Sequence, residues 1–231
     1  CIRFSCGTCC QSSPVSIHED FVPFSHSGEA DSVDYTHGWT KRMLDHAIAI
    51  PALILLAPLL FVLAVIVGVG SEGPVLFRQT RLGLNGVPFQ ILKFRTMTVM
   101  ENGPVIKQAE QGDVRVTKAG AWMRRLSLDE LPQLINVVNG EMSVIGPRPH
   151  ALAHDIQYGA EIRGYELRQS VKPGITGWAQ VHGHRGLTLT TSSMRERLAY
   201  DVWYARNASL LLDLKILFRT VGEVIGQRNA F

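Results

Sequence analysis

An uncharged, strongly apolar run from Ala47 to Gly70 limits what this chain can fold into more than any other feature. As a helix rising about 1.5 Å per residue it would reach roughly 36 Å, enough to cross a hydrocarbon core of about 30 Å. A single transmembrane span is therefore one interpretation. Two prolines argue against it, because Pro51 and Pro58 interrupt the run and Pro58 lies near its middle, where it is expected to bend or break a helix.

The charges around the run favour a second interpretation. Basic residues flank it on both sides: Lys41, Arg42, Arg78 and Arg81. Basic flanks prefer the cytoplasmic face, so both ends are expected on the same side. A re-entrant helix that enters the membrane, turns at Ala57-Pro58 and returns satisfies both observations, although Pro51 then has no assigned role.

The 231 residues suffice for one sizeable core with appendages. We expect a mainly helical α+β fold in three parts: a disordered tail over 1–38, the re-entrant membrane helix over 39–71, and a domain on the cytoplasmic face over 72–231. Asn85-Gly86 between two β-rich runs, 75–79 and 87–94, predicts a small hairpin. A helix is predicted over 151–169, at the periphery, and the apolar stretch 210–225 predicts an amphipathic helix that lies in the membrane interface or packs on the membrane helix.

Composition excludes several classes of protein. A net charge of +3 is too small to indicate a nucleic-acid partner. All four cysteines lie within the first ten residues, so no disulfide framework supports the fold, which suits a cytosol-facing protein. Cys6 and Cys9 have the spacing of a metal or redox pair but lack a second pair of ligands. Because the chain does not begin with Met, we expect either that its start lies upstream or that the tail is atypical.

The stretch 124–149 carries the candidate chemistry. Adjacent carboxylates, Asp129 and Glu130, lie between Arg124-Arg125 and an arginine held between two prolines, Arg148. Acids bracketed by guanidinium groups suit a site that holds an anion beside a metal ion or a carboxylate nucleophile. Phosphate is the expected anion, because planar guanidinium groups match its oxygens two at a time.

Local signals place these acids before a helix. Pro132 favours a first turn and Gly140 a C-terminal cap, which predicts a helix over about 132–139. A capping box from Ser127 to Glu130 is the alternative, but it leaves Pro132 inside the helix. The acids can also be explained as ordinary helix-start residues, and the arginine pair before them as residues that cap a helix over 119–126.

Several motifs, in order, resemble those of the bacterial sugar transferases, the monotopic phosphoglycosyl transferases. They are KFRTM at 93–97, LSLDELPQL at 126–134, GPRP at 146–149 and KPGITGWAQ at 172–180, and the likeness covers about 41–231. The segment HALAH at 150–154 and the short C-terminus resemble those of the subgroup that loads glucose-1-phosphate onto undecaprenyl phosphate at the start of exopolysaccharide synthesis.

The resemblance implies a reaction and its residues. A UDP-sugar would be attacked at the phosphorus that bears the sugar, UMP would leave, and undecaprenyl phosphate would resolve the covalent intermediate. Asp129 would be the nucleophile, and Asp129 and Glu130 would help position Mg²⁺. Arg124 and Arg148 would stabilise charge on the phosphate. The enzyme would lie at the bacterial inner membrane, facing the cytoplasm, with a re-entrant helix.

Four further residues are candidates for substrate binding. Lys93 either lies near the phosphate site or belongs to a basic face on lipid headgroups. Lys172 and Gln180 bound a glycine-containing segment in which the backbone is expected to approach a ligand or a neighbouring loop closely. Arg185 is a candidate for recognition of the nucleotide or the sugar.

Alternatives remain at this level. The donor sugar is expected to be glucose, with galactose next. A membrane phosphohydrolase would use similar acids and arginines, with water resolving the intermediate, and a non-enzymatic scaffold would use the basic face for lipid binding alone. Downstream glycosyltransferases are candidate partners. The sequence specifies neither the polysaccharide nor the oligomeric state.

Overall fold

The computed structural model describes residues 34–98, 113–186 and 190–225, and all contacts below refer to these. Most of the predicted disordered tail, with its cysteines, lies outside the described residues. Its last part does not fit the prediction, because residues 34–37 form a helical turn and the Tyr35 hydroxyl donates to Asp213 Oδ2 at 2.7 Å. The tail prediction is therefore wrong for 34–38, where an aromatic ring finds a buried partner.

Helix α1 runs from Trp39 to Gly70 without interruption, through both prolines. It is the only helix in the described ranges that is long and apolar enough to cross a membrane. The predicted break at Pro58 is therefore wrong, whereas the bend that is the other expected effect of a proline is compatible with a continuous helix. A proline withdraws one donor, here from the carbonyl four residues earlier, and neighbouring hydrogen bonds keep the helix continuous. Pro51 and Pro58 lie about two turns apart, so they share one face of α1.

The first part of α1 is fixed by buried polar contacts. Lys41 Nζ donates to Asp213 Oδ2 at 2.5 Å and to the Ile145 carbonyl at 3.0 Å. Asp45 Oδ1 accepts from Ser143 Oγ at 2.8 Å and from the Val144 amide at 2.9 Å. These charged groups are buried and paired, so the N-terminal part of α1 belongs to the folded body.

The last part of α1 contacts the same body. Leu63 and Val67 are buried against Phe94 and Met123. Arg95, in the segment that follows the hairpin, donates to the Val67 carbonyl at 3.3 Å and so binds a carbonyl of the last helical turn. Between the two anchored parts, large apolar side chains are exposed: Ile54, Leu55, Leu59, Phe61, Val62 and Val65.

The predicted hairpin is present. Strand β1, Leu76–Leu82, pairs antiparallel with β2, Pro88–Phe94, with Leu82 opposite Pro88. The turn includes a short 3₁₀ helix, Leu84–Gly86, in which Asn85 and Gly86 both have positive φ angles of 53° and 74°. Asn-Gly tolerates this left-handed backbone. β1 extends beyond the predicted Gln79, because the loop begins only at Gly83.

A second, parallel pair joins β3, Ser143–Ile145, to β4, Gly174–Thr176. The backbones around Gly146 approach so closely that a Cβ there would lie 2.3 Å from the Lys172 carbonyl oxygen. Glycine is therefore required for this pairing. Strands of this length carry no recognisable alternation, and the sequence did not predict them.

The remaining elements make the fold mainly helical, as predicted. The α-helices are α2 Lys118–Arg125, α3 Gln133–Val138, α4 Leu152–Glu161, α5 Thr191–Asn207 and α6 Leu210–Ile225. Further 3₁₀ helices are Leu128–Glu130, Tyr165–Ser170 and Gln180–His182.

The helix predicted over 151–169 ends early, because Gly164 has φ 81° and starts a separate 3₁₀ helix. It is not peripheral either, since Tyr165 and Arg168 are buried.

The main core lies between α1, β2, α3, β3 and α6. Ala49, Ile91, Val137, Ile145 and Ile216 are among its buried members. α6 has the predicted bounds and packs beside the first part of α1, while its other side exposes Leu211, Phe218 and Val221.

Candidate active site

Asp129 and Glu130 lie in the 3₁₀ helix that precedes α3. Ser127 enters it with a left-handed backbone, φ 56°, and Pro132 occupies the N-cap of α3. The later helix start that the prolines predicted is thus confirmed, and the capping box is absent because Ser127 makes no side-chain cap. The acids therefore occupy the segment before α3, and Asp129 is only 7% exposed.

Glu130 is bound by two cations. Lys93 Nζ, from β2, donates to Oε1 at 2.8 Å. The Arg148 guanidinium binds both carboxylate oxygens, with Nη1 donating to Oε2 at 3.0 Å and Nη2 to Oε1. The contact brings the hairpin, the pre-helical acids and the Pro-Arg-Pro segment to one point, and it puts Lys93 at the acids as the phosphate-site interpretation expected.

The pKa values of this group follow from its contacts. Burial alone would raise the pKa of Glu130, but the charges of Arg148 and Lys93 hold it well below its usual range. The Glu130 charge in turn raises the pKa of Arg148. Burial lowers the pKa of Lys93, and Glu130 opposes that shift. Glu130 is thus an ionised carboxylate whose charge is balanced by fixed cations.

Asp129 has a different environment. Burial raises its pKa, and repulsion from Glu130 raises it further, against the attraction of Lys93, Arg124 and Arg148. Within the described part of the chain its carboxylate forms no hydrogen bond and no ion pair. Arg124, at the end of α2, contributes its charge to Asp129 while its Nη2 lies 3.6 Å from Met97 Sδ. Asp129 is therefore a buried acid surrounded by cations but bonded to none of them.

Arg185 completes the group of arginines. Its Nη2 donates to Ser127 Oγ at 2.8 Å, two positions before Asp129 in the chain. The structure thus brings Lys93, Arg124 and Arg148 around the two acids and places Arg185 at Ser127. These are residue types that bind phosphate oxygens, and all four were predicted from the sequence.

Two predicted site residues lie elsewhere. Lys172 has its pKa lowered by burial, and the nearest charges acting on it are those of Asp45, Arg42 and Lys41 at the start of α1. Gln180 Nε2 donates to the Ile175 carbonyl at 3.0 Å, so its amide closes its own loop. The motif that contains both residues marks a close approach between backbone segments. Neither side chain is shown in contact with the acids.

Sequence reasoning missed the residues that hold the Arg148 segment. Arg81 Nη1 donates to the Pro149 carbonyl at 3.2 Å, and burial together with the charge of Arg148 lowers its pKa to about 10. Arg168 Nη2 donates to the Arg148 carbonyl at 2.6 Å. Arg81 was interpreted only as a flank of the membrane run, and Arg168 stands in no recognisable pattern.

The acids fit a magnesium ion held mostly by substrate. In the described ranges, no three His, Cys, Asp or Glu side chains form a group that could hold a metal alone. Mg²⁺ commonly uses one or two carboxylates together with phosphate oxygens and water. Asp129 offers a carboxylate free of bonds to protein, and Glu130 retains a lone pair on Oε2 beside its bond to Arg148.

Comparison with known proteins identifies the family. A family model described as bacterial sugar transferase matches residues 36–227. The curated UDP-glucose:undecaprenyl-phosphate glucose-1-phosphate transferase of Escherichia coli strain K12 is 54% identical over 191 residues, which cover 83% of this chain and 41% of that protein. The chain belongs to the bacterial sugar transferase family.

For two further relatives, the match to this chain covers a larger share of the relative's own length. A Caulobacter vibrioides protein with the same description as the Escherichia coli one is 52% identical over 191 residues, covering 83% of this sugar transferase and 72% of the relative. The exopolysaccharide production protein PSS of Rhizobium leguminosarum bv. phaseoli is 42% identical over 195 residues, covering 83% and 98%. The matched region contains the whole group of acids and arginines described above.

Proposed function

We propose that this sugar transferase moves a sugar-1-phosphate, glucose-1-phosphate in the first instance, from a UDP-sugar to undecaprenyl phosphate, releasing UMP. The observation that carries the proposal is the contrast between the two acids. Glu130 is neutralised by Arg148 and Lys93, whereas Asp129 carries no bond and lies among the same cations. The names of the relatives support the donor and the acceptor.

In the first step, an Asp129 carboxylate oxygen attacks the phosphorus that bears the sugar. The bond from that phosphorus to the UMP oxygen breaks, the electron pair leaves with UMP, and an aspartyl phosphosugar forms. Lys93, Arg124 and Arg148 would bind the phosphate oxygens as charge develops on them. When bound, Mg²⁺ would neutralise the diphosphate, with Asp129 and Glu130 as its protein ligands.

In the second step, a phosphate oxygen of undecaprenyl phosphate attacks the same phosphorus. The bond to Asp129 breaks, the carboxylate is restored, and the sugar diphosphate remains on the lipid. Arg185, whose Nη2 donates to Ser127 Oγ, would contact the donor nucleotide or sugar before this step. The raised pKa of Asp129 suits a basic nucleophile, and the charges of Lys93, Arg124 and Arg148 oppose that rise.

The membrane arrangement that goes with this chemistry is a re-entrant α1 at the cytoplasmic face of the inner membrane. One substrate is water-soluble and the other is a long polyprenol, so the reaction must take place at the boundary. Both ends of α1 contact the same folded body, and the side chains between them are apolar and exposed. This would be the first membrane step of exopolysaccharide synthesis.

The test is mass spectrometry of the detergent-solubilised protein after incubation with UDP-glucose and Mg²⁺, without lipid acceptor. We expect a mass gain of one hexose phosphate, lost in Asp129→Asn and retained in Asp34→Asn, an exposed matched control. An adduct with UDP-galactose alone would change the sugar and keep the mechanism. No adduct from any UDP-sugar in folded protein would contradict the covalent route.

Adding undecaprenyl phosphate separates the remaining alternatives. The proposal expects the hexose phosphate to move into the lipid fraction as UMP appears. Release of sugar phosphate into water at the same rate with and without lipid would indicate a phosphohydrolase. A scaffold predicts no UMP and no effect of Asp129→Asn.

A further inference from the structure

Behind the Pro-Arg-Pro segment lies a buried polar network that the proposed reaction does not use. His150, Asp155, Tyr165, Arg168 and Asp201 form its centre, and each is less than 9% exposed. Arg168 Nε and Nη2 both donate to Asp201 Oδ2, at 3.0 and 2.8 Å. The Tyr165 hydroxyl donates to Asp155 Oδ1 at 2.7 Å. Burial of so many polar groups costs free energy unless each is paired, so the network requires a reason beyond stability.

One end of the network fixes the segment that presents Arg148. Three consecutive carbonyls are bound from different parts of the fold. Pro147 accepts from the Gly174 amide at 2.9 Å, Arg148 from Arg168 at 2.6 Å, and Pro149 from Arg81 at 3.2 Å. Two prolines restrict the torsions and three donors bind the carbonyls, so the backbone from which Arg148 reaches Glu130 is fixed.

The other end of the network reaches the loop that carries Arg185. Arg197, a buried residue of α5, donates from Nη2 to the Gly186 carbonyl at 2.5 Å. Its Nη1 lies 3.2 Å from His150 Nε2. His150 Nδ1 lies 2.7 Å from Arg168 Nη1 and 2.8 Å from the Tyr165 hydroxyl, which also accepts from Arg168 Nη1 at 3.2 Å. A continuous series of contacts therefore joins the backbone of Arg148 to the residue after Arg185.

Both ring nitrogens of His150 face guanidinium donors. Nδ1 lies 2.7 Å from Arg168 Nη1, and Nε2 lies 3.2 Å from Arg197 Nη1. A doubly protonated ring would set an N–H against both guanidinium groups, so the geometry requires a neutral imidazole. Burial and the charges of Arg168, Arg197, Arg81 and Arg148 lower the pKa of His150 well below its usual value, so the ring is neutral.

We infer that His150 is a positioning residue that, as a neutral imidazole, links the Arg148 segment to the Arg185 loop and sets the spacing of these two arginines across the donor phosphates. The inference rests on the proposed function for its kinetic consequence. His150 contacts neither acid and acts only through Arg168 and Arg197. A displacement of the order of 1 Å in such a pair of groups costs up to about 10²-fold in rate.

The test is a double-mutant cycle on full-length protein with UDP-glucose, Mg²⁺ and undecaprenyl phosphate. His150→Asn retains a polar group near the Nδ1 position and removes the partner of Arg197, whereas His150→Gln retains a polar group near the Nε2 position. We expect His150→Asn to lower kcat/KM for UDP-glucose about 10- to 100-fold. His150→Gln should recover part of that loss, and KM for the lipid should not change. His154→Asn is the matched control and should match the wild type.

The cycle with Arg185→Ala distinguishes positioning from a general loss of folded enzyme. If His150 acts through the Arg185 loop, His150→Asn adds no further loss in the Arg185→Ala background. Equal losses in both backgrounds, or a fall in kcat alone with unchanged KM for UDP-glucose, would overturn the inference. So would wild-type rates in His150→Asn.

Nitrogen NMR of the imidazole gives a readout that needs no turnover. A wild-type ring with a single nitrogen-bound proton at neutral pH supports the network, and a doubly protonated ring overturns it. Failure of the wild type to release UMP from any UDP-sugar would contradict the proposed function while leaving the NMR result to decide the linkage itself.

Discussion

At the scale of single residues, two adjacent carboxylates have been given opposite properties by their neighbours. Glu130 receives three charge-assisted hydrogen bonds, and its pKa is held low, while Asp129 receives none, and its pKa is raised. Pairs of titratable groups whose pKa values are pushed apart mark different chemical roles. Glu130 is therefore suited to holding the cations in place, and Asp129 to attack.

Arg148→Lys tests how much of this depends on geometry rather than charge. Lysine retains the positive charge but loses the planar pair of donors that binds both oxygens of Glu130. We expect kcat for sugar-phosphate transfer to fall by about 10²-fold, comparable with the loss of one donor in an oxyanion site. Steady-state UMP release measures it. Arg163→Lys, at an exposed position, is the control, and equal activity of both variants would contradict the role of the guanidinium.

His150 makes a prediction about stability and pH. It is buried with Arg168, Arg197, Arg81, Arg148, Asp155 and Tyr165 around it, and its folded-state pKa lies well below the unfolded value of about 6.5. Below pH 6.5 the unfolded chain binds the proton first, so this stability is lost as the pH falls, by at most about 1.4 kcal/mol per pH unit. Thermal unfolding should show wild type more stable than His150→Gln at pH 7.5, with a smaller difference at pH 5.5.

A stability difference between wild type and His150→Gln that stays constant over this range would contradict the neutral buried ring. Acids with raised pKa values, Asp155 and Asp201, shift stability in the opposite direction, because the folded state binds their protons first. Both acids are present in the wild type and in His150→Gln. The difference in stability between these two proteins therefore reports the contribution of the imidazole.

At the scale of elements, the parallel pair β3–β4 sets the position of the Arg148 segment. Gly146 follows β3 and precedes Pro147, and a Cβ on it would meet three backbone atoms within 3.2 Å. Backbone cannot yield as a flexible side chain can. The two short strands can therefore pair this closely only with glycine at position 146, and the position of the Arg148 segment depends on this pairing.

Gly146→Ala should therefore destabilise the protein by about 1–3 kcal/mol, the usual cost of overpacking, and reduce transfer by displacing Arg148. Gly222→Ala, on α6, is the matched control, because a Cβ there meets nothing within 4 Å. It should be neutral or stabilise the helix by up to about 1 kcal/mol. Melting temperature and UMP release measure both variants. A fully stable, active Gly146→Ala protein would show that the close approach is not required.

Elements were predictable where the signal was local. Pro132 before α3 and Asn85-Gly86 in the hairpin each specify a backbone conformation by themselves, and the structure has both. The helix over 151–169 was predicted too long, because Gly164 takes a left-handed conformation that periodicity does not reveal. Pro58 was expected to break α1, but a continuous helix accommodates it.

The residues of the candidate site were likewise predictable only where the signal is local in the sequence. The acids and arginines that lie near the centre of their motifs were found, since charge and rigidity there are visible in sequence. Arg81, Arg168 and Arg197 were missed because their partners are backbone carbonyls distant along the chain. Lys172 and Gln180 were assigned to substrate binding because their motif predicts a close backbone approach but does not distinguish a ligand from a neighbouring loop. Contacts between residues far apart in the sequence could be identified only from the folded structure.

At the scale of the whole molecule, α1 is anchored to one body at both ends. Asp213 of α6, with no exposed surface, accepts from Lys41, Tyr35 and Tyr204 near the first end, and Arg95 binds the last turn at the other. A helix crossing the bilayer would instead separate its two ends by the membrane. α6 packs beside the first part of α1 and exposes apolar side chains on its other side, which gives the body a second apolar surface for the interface.

The topology follows from labelling each end of α1 separately. In a chain whose four tail cysteines are replaced by serine, Trp39→Cys and Glu72→Cys each introduce one thiol at an exposed position. If α1 is re-entrant, a membrane-impermeant maleimide should label both thiols in inside-out vesicles and neither in intact spheroplasts, because both ends face the cytoplasm. A transmembrane α1 would give opposite labelling of the two positions. Phe61→Cys, in the exposed apolar middle, should resist the reagent in both preparations until detergent is added, since lipid covers it in either topology.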